Sequence, residues 1–121
     1  MYQIIQIGDQ SVPMKATAAT QYRFKAVFGT DLMSVLSKAY RSQEAQGEVA
    51  ELIPKLGYIM AKQADPDTDW GKLNNQSFMD WAEQFDSTAM DDALLPILGI
   101  YNANTKTTST SKNRVGAPLG K

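Results

Sequence analysis

The sequence predicts a mainly α fold: an N-terminal β-hairpin, then a compact bundle of about five helices, then a flexible C-terminal tail. Three observations carry this. Residues 2–16 alternate apolar and polar around a turn-forming centre, residues 18–101 repeat apolar side chains at helical spacing between polar breaks, and residues 102–121 show neither pattern. The expected division is a helical domain with its hairpin over 1–101 and a polar, basic tail over 102–121. The 121 residues suit one domain with one core.

In the hairpin, Ile5 and Ile7 alternate with Gln6, Gly8-Asp9-Gln10-Ser11 turns the chain, and Val12, Met14 and Ala16 alternate again. Pro13 has no N–H to give a ladder, which places the second strand at an edge. Thr17 reads as the N-cap of a helix over Ala18–Phe28 that Gly29 ends, because glycine adopts the left-handed conformation at little cost. Tyr22, Val27 and Phe28 are its expected buried side chains, with Phe24 undecided. Thr30 or Asp31 caps the next helix, whose Leu32, Val35, Leu36, Ala39 and Tyr40 follow the i, i+3, i+4, i+7, i+8 pattern of one apolar face.

Arg41 to Gly47 reads as loop. A third helix over 48–63 carries the stripe Val49, Leu52, Ile53, Leu56, Ile59 and Met60, with Pro54 expected to kink it or to mark its start. Residues 64–72 connect. Phe78, Trp81, Ala82 and Phe85 share one face of a short helix, with Ser77 and Asp80 as a shortened capping box. A last helix over Thr88–Tyr101 turns Met90, Ala93, Leu94, Ile97, Leu98 and Tyr101 inward, and Pro96 should bend it. Asp91 and Asp92 lie in its first turn, where the helix dipole favours negative charge. From Asn102 the chain is too polar to bury enough surface to offset ordering.

The composition excludes several function classes. There is no cysteine, hence no disulfide, thiolate metal site or Cys nucleophile. There is no histidine either, the usual general base near neutral pH and the commonest metal ligand. The Ser-His-Asp arrangement is therefore out of reach, and no strand-associated glycine-rich phosphate loop is present. Asp65-Pro66-Asp67-Thr68-Asp69 begins like a calcium loop, but its sixth and twelfth positions are Trp70 and Gln76 rather than Gly and Glu; it reads as a solvated turn of capping acids. Glu83, Asp86, Asp91 and Asp92 lie near helix ends with no sign of a shared pocket. No enzyme, metal or cofactor is expected.

Charge is uneven. Lys106, Lys112, Arg114 and Lys121 give the tail +4, leaving eight basic against thirteen acidic side chains, a net of −5, in residues 1–101; the total is −1. An acidic body argues against a nucleic-acid surface. No run approaches the roughly 20 apolar residues that span a bilayer, and Met1–Gly8 lacks the features of a signal peptide, so a cytoplasmic protein is expected. Trp70 stands in a polar connection, and half-exposed aromatics are common interface anchors.

Four blocks carry a family resemblance: VPMKATAAT over Val12–Thr20, YRFKAVFGTDL over Tyr22–Leu32, LGYIMAKQAD over Leu56–Asp65 and FMDWAEQFD over Phe78–Asp86. Across most of residues 1–101 the chain resembles the tail assembly chaperones of long-tailed phages and prophages of Gram-positive bacteria. The resemblance implies a β-element, a helical body and a short polar tail. It also implies a role: binding the tape-measure protein, keeping its helical segments soluble in the host bacterial cytoplasm, and helping tail-tube subunits assemble around it, with no place in the mature virion. A programmed frameshift that lengthens the product is a further family habit, and Gly120-Lys121 is compatible with a purine-rich slip site. Self-association is a further expectation, with the edge strand as one route. Tyr40, Trp70 and Tyr101, aromatics near element ends, are the residues expected to meet a partner. The alternatives are a structural head–tail connector component, which the particle would retain, and a small acidic regulatory binding protein, which needs its acids on one face.

Overall fold

A computed structural model describes residues 1–41 and 44–112, with side chains described for 1–39, 41 and 47–104. Strands β1 (Tyr2–Ile7) and β2 (Gln10–Lys15) form an antiparallel two-stranded sheet, with Ile7 opposite Gln10 and Tyr2 opposite Lys15. The turn is tighter than the expected Gly8–Ser11: Gly8 and Asp9 alone connect the strands, and Gly8 takes φ 64. A glycine with positive φ at the first loop position suits the right-handed twist of the strands. Alternation does what period two requires. Ile5, Ile7, Met14 and Ala16 are buried, while Tyr2 and Ile4 remain 58% and 55% exposed on the outer face. Pro13 pairs opposite Ile4 in a sheet of two strands, so both strands are edges, as Pro13 requires.

Helix α1 (Thr20–Phe28) starts two residues after its expected Ala18. Thr17 caps the turn that leads into it: its Oγ1 accepts from the Ala19 N–H at 3.1 Å, and its own N–H donates to Thr20 Oγ1 at 2.9 Å. Thr20 is fully buried, where Gln63 Nε2 donates to its hydroxyl at 2.8 Å and to the Lys15 carbonyl at 2.6 Å. Burying Thr20 fixes the face as i, i+4, i+7 and i+8, which is Thr20, Phe24, Val27 and Phe28. Phe24 is therefore in the core, and Tyr22, expected inside, is 69% exposed. Gly29 ends α1 with φ 75, its N–H donating to the Lys25 carbonyl at 2.7 Å.

Asp31 caps α2 (Leu32–Arg41), its carboxylate accepting from the Ser34 hydroxyl at 3.0 Å and the Ser34 N–H at 3.4 Å. These hydrogen bonds hold its carboxyl below the usual range. Leu32 and Val35 are buried and Leu36 and Ala39 pack against them. Helix α3 (Glu44–Ala64) begins within the stretch expected to be loop and continues through Pro54, so Pro54 does not mark its start. Glu44, Ala45 and Gln46 are good helix formers, and the core on both sides of Pro54 holds the helix: Val49 and Ile53 before it, Leu56, Tyr58, Ile59 and Met60 after it. Packing here outweighs one lost backbone bond. Helix α3 touches β2, α1 and α2, and the two later helices described next.

A 3₁₀ turn (Trp70–Lys72) leads to α4 (Asn75–Ala82) and then α5 (Ser87–Lys112). The capping box of α4 lies three residues before the expected one: Asn74 Oδ1 accepts from the Ser77 N–H at 2.9 Å, and Ser77 Oγ accepts from the Asn74 N–H at 2.8 Å. Asp86 caps α5, accepting from the Ala89 N–H at 2.8 Å. Ala93, Ile97, Ile100 and Tyr101 are buried along α5, with Met90, Leu94 and Leu98 partly so; Ile100 was not among the expected set. The helix continues past its expected end at Tyr101 to Lys112. Residues 102–112 contain neither Pro nor Gly to stop it. The rest of the expected tail, 113–121, lies outside the described residues. Among the described residues, no helix is long and apolar enough to cross a membrane.

Two helical glycines separate packing from propensity. A Cβ on Gly57 of α3 would lie 2.9 Å from Ile97 Cδ1 and 3.4 Å from Met14 Cε, whereas one on Gly99 of α5 meets nothing within 4 Å. Gly57→Val is expected to cost about 1–3 kcal/mol by overpacking, and Gly99→Ala to gain about 0.5–1 kcal/mol. Urea unfolding of the two variants checks both signs.

Candidate protein-binding surface

Trp70, expected at an interface, is held by its neighbours. Asp69 Oδ1 accepts from the Gly71 N–H at 3.1 Å and so fixes the 3₁₀ turn that carries the ring. The Arg23 guanidinium lies 4.0 Å from the centre of the half-buried indole. Arg23, Ala26, Val27, Trp70, Gly71 and Leu73 line an open cavity of about 440 Å³ between α1 and the turn. Tyr101, the second expected contact residue, is only 3% exposed, and its hydroxyl donates to Met33 Sδ at 3.1 Å. It is a core residue with no free face. The Tyr40 side chain lies outside the described residues. Trp70 and Tyr101 therefore do not share an exposed face.

The surface that does form is a run of stacked rings. Tyr58, buried in α3, donates its hydroxyl to Ser77 Oγ at 2.7 Å and thereby ties α4 down at its capping box. Around it the ring centres of Phe28, Phe78 and Trp81 lie 6.3, 5.7 and 5.4 Å from its own. Phe28 meets Phe78 edge-on at 6.0 Å, and Trp81 meets Phe85 edge-on at 5.1 Å. Phe24 continues the run inward, 5.1 Å from Phe28. Tilted and edge-on pairs of this kind add about 0.5–1.5 kcal/mol each beyond area burial. Helix α4 has no fully buried residue, so these rings are what hold it. Phe28, Phe78, Trp81 and Phe85 all keep part of their surface in solvent, and Met79 is 48% exposed beside them.

Cations border the rings. Lys55 Nζ lies 5.2 Å from the Phe28 ring centre and 6.0 Å from that of Phe78, and Lys62 Nζ lies 5.6 Å from that of Tyr58. A second open cavity, about 400 Å³, separates Trp81 from Val12 and Pro13 of the hairpin and Ala61 and Lys62 of α3. The nearby carboxylates serve local structure. Asp80 accepts from Gln76 Nε2 at 2.9 Å, Asp65 from the Asp67 N–H at 2.9 Å, and Asp86 caps α5. Among the described residues, no three carboxylates gather at one point. The arrangement presents large, partly buried rings with two cations against them.

The spacing Phe78, Trp81, Phe85 is visible in the sequence as a helix face, but Phe28 and Tyr58 come from other elements. No local signal announces that the five meet. Compared with known proteins, the chain matches no protein-family model, no curated protein and no solved structure.

Burial is the main cause that pushes the Tyr58 and Tyr101 hydroxyls above their ordinary value of 10.0; for Tyr101, the charge of Asp31 adds to it. A raised phenol pKa means that the folded state holds the proton more tightly than the unfolded chain. The stability this contributes is complete below about pH 10 and is lost as pH rises through the folded values. The urea midpoint is expected to fall above about pH 10, and to fall less steeply in Tyr101→Phe. A pH series of urea titrations on the two proteins measures it.

Proposed function

We propose that this chain is a non-catalytic assembly factor of the phage tail-assembly-chaperone kind. It binds the tape-measure protein in the host bacterial cytoplasm, keeps its apolar helix stripes from aggregating, hands it to the tail-tube subunits, and is absent from the finished particle. The half-exposed ring run Phe28–Phe78–Trp81–Phe85 is the observation that carries this reading. Trp, Tyr and Phe supply large contact area with few rotatable bonds, and such residues dominate protein interfaces. The resemblance of the four sequence blocks supplies the partner.

The physics is that of linkage. A tape-measure helix exposes its apolar stripe until the tube covers it. A binder that shields that stripe lowers the free concentration of the aggregating species by mass action. The body carries a net charge of −5 over residues 1–101, which keeps the complex soluble.

Co-expression with the tape-measure protein of the same phage tests the reading. The tape measure is expected to be insoluble alone, soluble with this chain, and recovered with it on pulldown. Met79→Ala, at a residue 48% exposed beside the rings, should weaken the complex with the circular dichroism unchanged. Leu95→Ala, at a residue 78% exposed on α5 and outside the ring run, should leave it intact. Failure to bind or solubilise the tape measure, or recovery of the chain in purified particles, contradicts the proposal.

A further inference from the structure

The two edges of the hairpin are not alike. Met1 and Ala16 exchange main-chain bonds: the Met1 nitrogen donates to the Ala16 carbonyl at 2.9 Å, and the Ala16 N–H to the Met1 carbonyl at 2.7 Å. The register continues without a bulge to Ile7 opposite Gln10. Odd-numbered residues of β1 therefore bond to β2, and the N–H and C=O groups of Tyr2, Ile4 and Gln6 point away from it. On β2 the outward residues are Ser11, Pro13 and Lys15, and that edge is closed. Pro13 has no N–H, Gln63 Nε2 occupies the Lys15 carbonyl at 2.6 Å, and α3 packs along the strand. The β1 edge lacks these guards. Its sequence, YQIIQI, holds no charge and no proline. Tyr2, Gln3 and Ile4 are all exposed, and Ser11 Oγ donates to Gln6 Oε1 at 3.0 Å, which turns that side chain back toward β2. By alternation Gln3 lies on the inner face, so its exposure means that the start of β1 overhangs the helices.

We infer that this edge pairs with its own copy: β1 lies antiparallel beside the β1 of a second chain about a two-fold axis at Ile4, and two hairpins become one four-stranded sheet. Pairing here uses none of the aromatic rings and does not rest on the chaperone reading. About that axis Ile4 stands opposite Ile4 of the second copy and Tyr2 opposite its Gln6, each pair exchanging two main-chain bonds. A two-fold at Ile4 is the one that pairs all three outward residues, so the edge is complementary to itself. No like charges are opposed, since β1 has none. Tyr2 and Ile4, 58% and 55% exposed, then join those of the second copy in one apolar strip on the outer face. Each overhanging end comes to lie beside the Ile5–Ile7 half of the other strand, where the inner face is covered, so the helices of the two copies have room. An open, uncharged, unbulged edge is the kind that pairs between chains.

Sedimentation of the full chain from micromolar to millimolar concentration tests the pairing, and single cysteines test its register. A reversible monomer–dimer equilibrium is expected. Ile4→Lys sets two ammonium groups opposite each other at an exposed position and should weaken the dimer about tenfold, with the circular dichroism unchanged. The chain has no cysteine of its own. Ile4→Cys should crosslink to itself on mild oxidation, because bonded antiparallel partners stand about 5.5 Å apart between Cα atoms, within disulfide reach. Gln6→Cys should not, its two copies lying roughly 14 Å apart along the strands, whereas a mixture of Tyr2→Cys with Gln6→Cys should. A chain that is monomeric at every concentration overturns the inference, whether or not it takes up an extended peptide of another protein at β1. A dimer that Ile4→Lys leaves intact, or self-crosslinking of Gln6→Cys as in a parallel pairing, overturns it as well.

Discussion

The fold is built around α3, which meets β2, α1, α2, α4 and α5 and lets two of them approach closely at Gly57. With no side chain there, Ile97 of α5 and Met14 of β2 close on the backbone of α3. The five consecutive residues from Leu56 to Met60 are consequently buried, so this segment of α3 has no solvent face. A helix apolar on every side needs cover on every side. The hairpin, α1, α2, α4 and α5 provide it, each contributing one apolar face. Pro54 survives inside α3 for the same reason, since the packing on either side offsets a missing backbone bond.

The aromatic surface follows from that arrangement. Tyr58 is in the buried segment, so its ring is inside and its hydroxyl reaches out to Ser77. Helix α4 is short and contributes no buried residue of its own, so it is fastened by rings and by one hydrogen bond. Phe28, Phe78, Trp81 and Phe85 keep part of their surface in solvent. Lys55 and Lys62 reach those rings because they occupy the half-buried flank of α3, beside the segment that the other elements enclose. A partly exposed apolar surface, with lysines and carboxylates both at its border, thus arises from the way α4 is attached.

Much of the fold was legible because it depends on local periodicity. Leu32, Val35, Leu36 and Ala39 follow a helical period, Ile5, Ile7, Val12 and Met14 a strand period, and Gly29 stands where a left-handed residue must. The exchange of Tyr22 for Phe24 was not legible, because the rotation of α1 is set by a buried hydroxyl, Thr20, bonded to Gln63 far along the chain. Asn74 and Ser77 are both good capping residues, and the sequence does not rank them. The candidate surface was the least legible part. Proximity to element ends singled out Trp70 and Tyr101, yet one stands against Arg23 and the other is enclosed in the core. The rings that gather come from α1, α3 and α4, and only tertiary packing brings them together.

Hydrogen exchange of the free chain and of the complex proposed with a tape-measure protein tests the central claim most directly. The claim is that the ring run between α1, α3 and α4 is the face that binds. It predicts new protection over α4, Asn75–Ala82, and over the C-terminal half of α1, with the outer face of the hairpin around Tyr2 and Ile4 unchanged. Protection confined to the hairpin or to α5, with α4 exchanging as in the free chain, would contradict it.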